Sequence, residues 1–173
     1  GQGVAQDHAE SARFYRMAAE RGEVAAQFSL AIMYRDGMGV TQSSEDAANW
    51  YRMAAEQGHI AAMFSMAALH ETGEGIALDL SEAYRWYKAA ASQGHPGSQN
   101  NLALMYESGQ GVAQSLPHAY MWMDLASKLA DGPEQERYEL NRDQLEVRLS
   151  AEDLVKAKGM SGRCLETRYA ECE

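Results

Sequence analysis

Residues 37–72 read GMGVTQSSEDAANWYRMAAEQGHIAAMFSMAALHET, and the same pattern returns along the chain at a constant interval of 36 residues. Gly-x-Gly followed by Val or Ile stands at Gly1-Gly3-Val4, Gly37-Gly39-Val40, Gly73-Gly75-Ile76 and Gly109-Gly111-Val112. An aromatic follows at a fixed offset, at Phe14, Trp50, Trp86 and Trp122, and a small residue at Ala18, Ala54, Ala90 and Ala126. A period in this range marks stacked repeats, each a supersecondary unit too small to bury its own apolar faces.

Within one period the pattern predicts helix, turn, helix and glycine turn. In the second copy Ser43 stands as an N-cap with Asp46 three residues on; Asp7 with Glu10 and Asp79 with Glu82 hold the same places. Such pairs satisfy free N–H groups and suit the positive end of the helix dipole. The fourth copy has Ser115 with His118, and Pro117 is tolerated in the first turn. Ala47, Trp50, Tyr51 and Ala54 then fall at i, i+3, i+4 and i+7, one helix face. Gly22, Gly58 and Gly94 are placed to stop the first helices. Second helices follow, with Ala26, Leu30, Ala31 and Met33 in one copy and Ala62, Met66, Ala67 and Leu69 in the next. The predicted spans are 7–21 and 24–35, 43–57 and 60–71, 79–93 and 96–107, then 115–130. Beyond that the pattern departs: a charged helix Glu134–Leu149 with Leu140, Leu145, Val147 and Leu149 as its stripe, then a helix capped by Ser150.

On these residues the chain resembles Sel1-like repeat proteins, relatives of the tetratricopeptide repeat. The matching pattern is Gly-x-Gly-Val, a cap, Ala, Trp-Tyr, Ala-Ala, Gly, Ala, Leu, Tyr, Gly, over about residues 1–130; His70 stands in the usual Tyr place and Gly97-Ser98 replaces Ala-Ala. The resemblance implies an all-α, right-handed α-solenoid of about four helix-turn-helix repeats with a C-terminal capping helix. Its divisions are 1–36, 37–72, 73–108 and the start of a divergent fourth repeat at 109–132, with 133–173 as cap. It further implies an interaction scaffold, of the kind found in signalling and in bacterial envelope or host contact. Two other readings stand beside it: a small-ligand binder or hydrolase like cysteine-rich penicillin-binding relatives, and a self-assembling module.

The 173 residues are 46% hydrophobic, enough for a core. A net charge of −10 without a basic cluster argues against nucleic acid and against an anionic membrane surface. No apolar run approaches the length of a membrane-spanning helix. The chain opens inside a glycine turn, which predicts that residues before Gly1 have been removed, whereas the polar 133–173 segment reads as the natural C-terminal end. Cys164 and Cys172 are the two cysteines. Residues eight apart in a straight helix lie about 12 Å apart along the axis, and a disulfide needs Cα atoms within about 7 Å. If they pair, the last helix breaks between them; Gly159 and Gly162 mark where it weakens. The resemblance favours pairing and a periplasmic or secreted setting; two reduced thiols and a cytoplasmic protein are the alternative.

No HExxH, nucleophile elbow, P-loop or dinucleotide fingerprint occurs, so no catalytic, cofactor or metal residue is assigned. His59 and His95, equivalent and one repeat apart, read as solvated turn residues. Met17, Met53, Met66 and Met105 read as core filling rather than copper ligands. One polar feature repeats: Arg16, Arg52 and Lys88 on the first helices, with Arg13, Asn49 and Arg85 one turn earlier. In related solenoids the first helices line the concave groove, so these six are the candidate contacts for a protein or peptide, an acidic one on the sharper reading. The blander reading pairs them with Glu20 or Glu56 at i+4. The oligomeric state is left open, monomer included.

Overall fold

The structure, a computed structural model, describes residues 8–170 and residue 172. Among the described residues the regular structure is nine α-helices and no strands. The chain divides into two compact units, residues 1–79 and 80–173.

The first unit holds α1 (His8–Ala19), α2 (Val24–Asp36), α3 (Ser44–Glu56) and α4 (Ile60–Thr72). The predicted spans agree within a residue or two, and the predicted cap Asp7 lies outside the described residues. Ser43 caps α3 as expected, its side chain accepting from the Asp46 N–H at 3.1 Å. The core is built from small residues on facing helices. Ala19, Ala31, Ala48, Ala54, Ala62 and Ala67 are fully buried together with Leu30 and Met66, so backbones approach closely. Helix α2 packs on both α1 and α3. Trp50 lies against the Ala19–Ala26–Leu30 cluster, as a wedge between helices must. One polar group is built into this core. Buried Gln27 donates from Nε2 to the Ala19 carbonyl at 3.2 Å and accepts from Gln57 Nε2 at 2.7 Å, joining the C-terminal ends of α1 and α3 to α2.

The second unit holds α5 (Leu80–Ala91), α6 (Pro96–Ser108), α7 (Leu116–Leu129), α8 (Gly132–Glu146) and α9 (Ala151–Glu166). Gln99 repeats the Gln27 bond, donating to the Ala91 carbonyl at 3.1 Å. Helix α7 is its centre: residues 119–127 are buried without a break, because α6, α8 and α9 all pack on it. The expected stripe holds in part: Leu145 is buried and Leu149 packs against the core, but Leu140 and Val147 are exposed, and Tyr138, seven residues before Leu145, completes the buried edge. Leu140 lies on the exposed side of α8 and Val147 follows its last residue, which periodicity in a short charged helix does not fix.

The methionines also divide. Met66 and Met105 are core residues as expected, but Met17 and Met53 are 43% and 42% exposed, at equivalent positions on the outer side of the first helices. Helix α9 runs through Gly159 and Gly162 and ends at Glu166, later than those glycines suggested. It does break between the cysteines: Arg168 and Tyr169 take positive φ, and the chain folds back so that Cys164 and Cys172 pair with Cα atoms 4.6 Å apart.

The two glycines of each Gly-x-Gly turn serve different needs. Gly73 ends α4 in the left-handed conformation, its N–H bonded to the Leu69 carbonyl. Gly75 is fixed by proximity: a Cβ there would lie 2.4 Å from the Ser44 carbonyl carbon and oxygen, at the start of α3. Gly58, also at positive φ, has open space around it. Gly75→Ala is therefore expected to cost about 3 kcal/mol or more, from overpacking added to backbone strain, against about 1 kcal/mol for Gly58→Ala, which carries strain alone. Denaturant titration followed by far-UV circular dichroism checks the difference.

Candidate interaction surface

The first helices bury one face and leave the other in solvent. On α3 the buried residues are Ala47, Ala48, Tyr51, Ala54 and Ala55, while Glu45, Asp46, Asn49, Arg52, Met53 and Glu56 are exposed. The candidate contacts fall on such faces: Arg13, Arg16, Asn49, Arg52 and Arg85 are exposed and Lys88 is half-buried. The face is mixed in sign rather than uniformly basic, because Arg52 shares it with Glu45 and Glu56. In the second and third repeats the tyrosine beside the aromatic is the core member, Tyr51 and Tyr87 at 1% exposure, while Trp50 and Trp86 are half-buried; in the first repeat Phe14 and Tyr15 are both exposed.

The cations are not held as the sequence suggested. Arg16 donates to the Tyr34 hydroxyl at 2.7 Å and lies 5.8 Å from that ring's centre. Arg85 pairs with Glu82, one turn earlier, at 2.5 Å. Lys88 Nζ sits 6.0 Å from the Tyr84 ring centre. Aromatic rings and hydroxyls in reach orient these groups at little cost while leaving them accessible.

The histidines are corrected. His59 and His95 are not solvated turn residues but the N-caps of α4 and α6. Their Nδ1 atoms accept from the Ala62 and Ser98 N–H groups at 3.2 and 3.1 Å. His59 also stacks on Phe28, ring centres 4.4 Å apart. The signal in the sequence was their place, one residue before each second helix; an imidazole was overlooked because Ser, Thr, Asp and Asn dominate that position. Ser115 occupies the N-cap of α7, yet its hydroxyl faces His118 Nδ1 at 2.7 Å instead of a backbone N–H.

Two polar constellations went unread in the sequence. Arg35 is bonded to Asp36 at 2.7 Å and reaches the Tyr51 hydroxyl at 3.4 Å. The Arg35 hydrogen bond holds the Asp36 carboxyl below its usual range. In the second unit Ser161 Oγ donates to Asp124 Oδ2, and Lys128 Nζ lies 2.6 Å from the same oxygen and 3.4 Å from Ser161 Oγ. A serine beside a lysine invites a catalytic reading, but Ser161 is 1% exposed and its hydroxyl is committed to the carboxylate. The cluster ties α7 to α9. Among the described residues no group of three or more His, Cys, Asp or Glu side chains is arranged to hold a metal.

A Sel1 repeat family model matches residues 1–23, 24–59, 60–95 and 96–131. The chain belongs to the Sel1 repeat family. Among solved structures, a Sel1 repeat protein from Oxalobacter formigenes is similar at 33% identity, with a TM-score of 0.72 over 77% of this chain and 55% of that one. A protective antigen present in uropathogenic Escherichia coli strains, displaying an SLR fold, is similar at 26% identity and a TM-score of 0.58, over 96% of this chain and 44% of that one. The chain thus spans about half the length of these Sel1 neighbours. No curated protein matches it. The helix pairs are those of a Sel1 α-solenoid, a fold that generally serves as a non-catalytic scaffold for protein–protein interaction.

The capping role of His95 carries a pH dependence. Burial, opposed by the nearby Glu134 charge, pushes the His95 imidazole below its ordinary value. The neutral ring is the one whose Nδ1 accepts from Ser98, so this contribution is complete above the unfolded pKa of about 6.5. It is lost as pH falls through the depressed folded value. The stability of the Sel1 chain should decline from pH 7 toward pH 5, and His95→Asn, which keeps a cap without the titration, should flatten that slope. His95→Ala should cost about 1 kcal/mol at pH 7. Chemical denaturation at several pH values measures all three.

Proposed function

We propose that this Sel1 chain is an adaptor that holds an acidic protein segment on the outer face of its first helices. Arg13, Arg16, Asn49 and Arg52 form the contact in the first unit, and Arg85 with Lys88 stand at the equivalent positions in the second. The observation that carries this reading is the exposure of Arg13, Arg16 and Arg52 on a repeated face whose other side is committed to the core. Exposed Met17 and Met53, one residue beyond Arg16 and Arg52, add adaptable apolar contact beside each charge. Asn49 contributes a donor to carbonyls of an extended peptide.

The setting we propose is the bacterial envelope or the exterior. The Cys164–Cys172 disulfide supports it, since such bonds persist in oxidising compartments. The likeness to a protective antigen of uropathogenic Escherichia coli points the same way.

Two measurements test this. A labelled Asp/Glu-rich peptide should bind with an affinity that falls as salt rises, and Arg16→Glu with Arg52→Glu should weaken binding at least tenfold while the circular dichroism spectrum is kept; unchanged binding by the double variant overturns the assignment. Protein isolated without reductant and denatured should show no reactive thiol, and Cys164→Ser should lower stability by about 2 kcal/mol, the scale for a short closed loop.

A further inference from the structure

Each repeated cation of the first helices has a counterpart 18 residues later, in the last turns of the second helix: Tyr34 for Arg16, His70 for Arg52 and Tyr106 for Lys88. The three pairs are held differently. In the first unit Tyr34 accepts directly from Arg16 Nη2 at 2.7 Å, and the guanidinium carbon lies 5.8 Å from the centre of its ring. The residue one turn before Arg16 is the buried Ala12, whose methyl group leaves that path open. In the second unit Tyr84 stands at the position of Ala12. Its hydroxyl meets the Tyr106 hydroxyl at 2.8 Å, the two rings lie edge to face, and Lys88 Nζ sits 6.0 Å from the centre of the Tyr84 ring. Tyr106 also stacks on His118, ring centres 5.0 Å apart. In the second repeat His70 replaces the tyrosine, and Arg52 has no hydrogen bond, ion pair or ring contact among the described residues.

We propose that Tyr34 is a specificity-determining residue of the acidic-segment site: it fixes the Arg16 guanidinium so that this contact takes a carboxylate by geometry as well as by charge. The inference rests on the adaptor reading above and goes beyond it in making the repeated cations unequal. A guanidinium carries five N–H donors in one plane, and Tyr34 occupies one of them. The others include a fork that matches the two oxygens of an Asp or Glu side chain. A long side chain that is loose before binding loses rotamer freedom in the complex, and one already held loses less. Arg52 is not held in this way and acts by its charge, a role that a lysine fills equally well. Lys88 presents an ammonium, which has no planar fork and meets a carboxylate as a point charge.

The test measures binding of the labelled Asp/Glu-rich peptide to the full chain. Tyr34→Phe removes the hydroxyl and keeps the ring, and should weaken binding about threefold to tenfold, the range for one ordered side chain. Arg16→Lys should weaken it to a similar extent although the charge is kept, whereas Arg52→Lys should bind like the unmodified chain. In an Arg16→Ala background Tyr34→Phe should change nothing further, and in an Arg52→Ala background it should keep its full effect. Equal losses in both backgrounds, together with a lowered melting temperature, assign Tyr34 to the fold alone and overturn the inference. Full binding by Arg16→Lys overturns it as well, because charge then suffices. Unchanged binding by Tyr34→Phe overturns the inference and leaves the adaptor reading standing. No salt-dependent binding by the unmodified chain overturns both.

Discussion

A first helix in this protein is one-sided and cannot stand alone. Its Ala–Tyr–Ala stripe needs a second helix against it, and in the first unit α2 supplies that cover for α3 through Phe28, Arg35 and the Ala19–Ala26–Leu30 cluster under Trp50. The remaining features serve that contact. Alanines at the crossing points let the backbones close up, and glycine at Gly75 lets the following turn lie on the first residues of α3. A buried glutamine, Gln27 or Gln99, satisfies a carbonyl at the end of the preceding helix, so the close approach leaves that group paired. These are short-range devices repeated at a fixed interval.

The second unit solves the end of the array differently. Helix α7 is enclosed by α6, α8 and α9, and its hydrophobic circumference removes the one-sidedness of the earlier first helices. Its one buried carboxylate, Asp124, is neutralised by Lys128 and anchored by Ser161, and Tyr120 donates to Glu146, whose carboxyl is held below its usual range by Lys158 and then by Tyr120. The disulfide then secures the reversed tail beneath α9, where Tyr169 packs beside Gly94. Polar pairs here join helices that differ in sequence from the repeat, so they replace the regular Ala and aromatic contacts used elsewhere.

The surface follows from what the packing leaves over. With Tyr51 buried on one side of α3, Asn49, Arg52 and Met53 on the other side remain in solvent, so the exposed face arises from the same period that builds the core. The His caps follow the same logic. Position before a second helix is fixed by the repeat, and an imidazole placed there becomes an acceptor that works only while neutral.

The sequence by itself determined the helices, their order, their caps at Ser43 and Ser150 and the family, because these depend on spacing and local chemistry repeated in register. It required a break between Cys164 and Cys172 if they pair, but did not place it, since α9 runs through Gly159 and Gly162 to Glu166. It did not determine which side of an irregular helix faces inward, as Leu140, Val147 and Met53 show, nor what holds a charge such as Arg16. Those outcomes depend on neighbours distant in the chain, Tyr34 for Arg16 and α7 for α8, and on how many sides of a helix are covered. Only the tertiary structure decides that, since burial is a property of packed pairs and local periodicity describes one helix at a time.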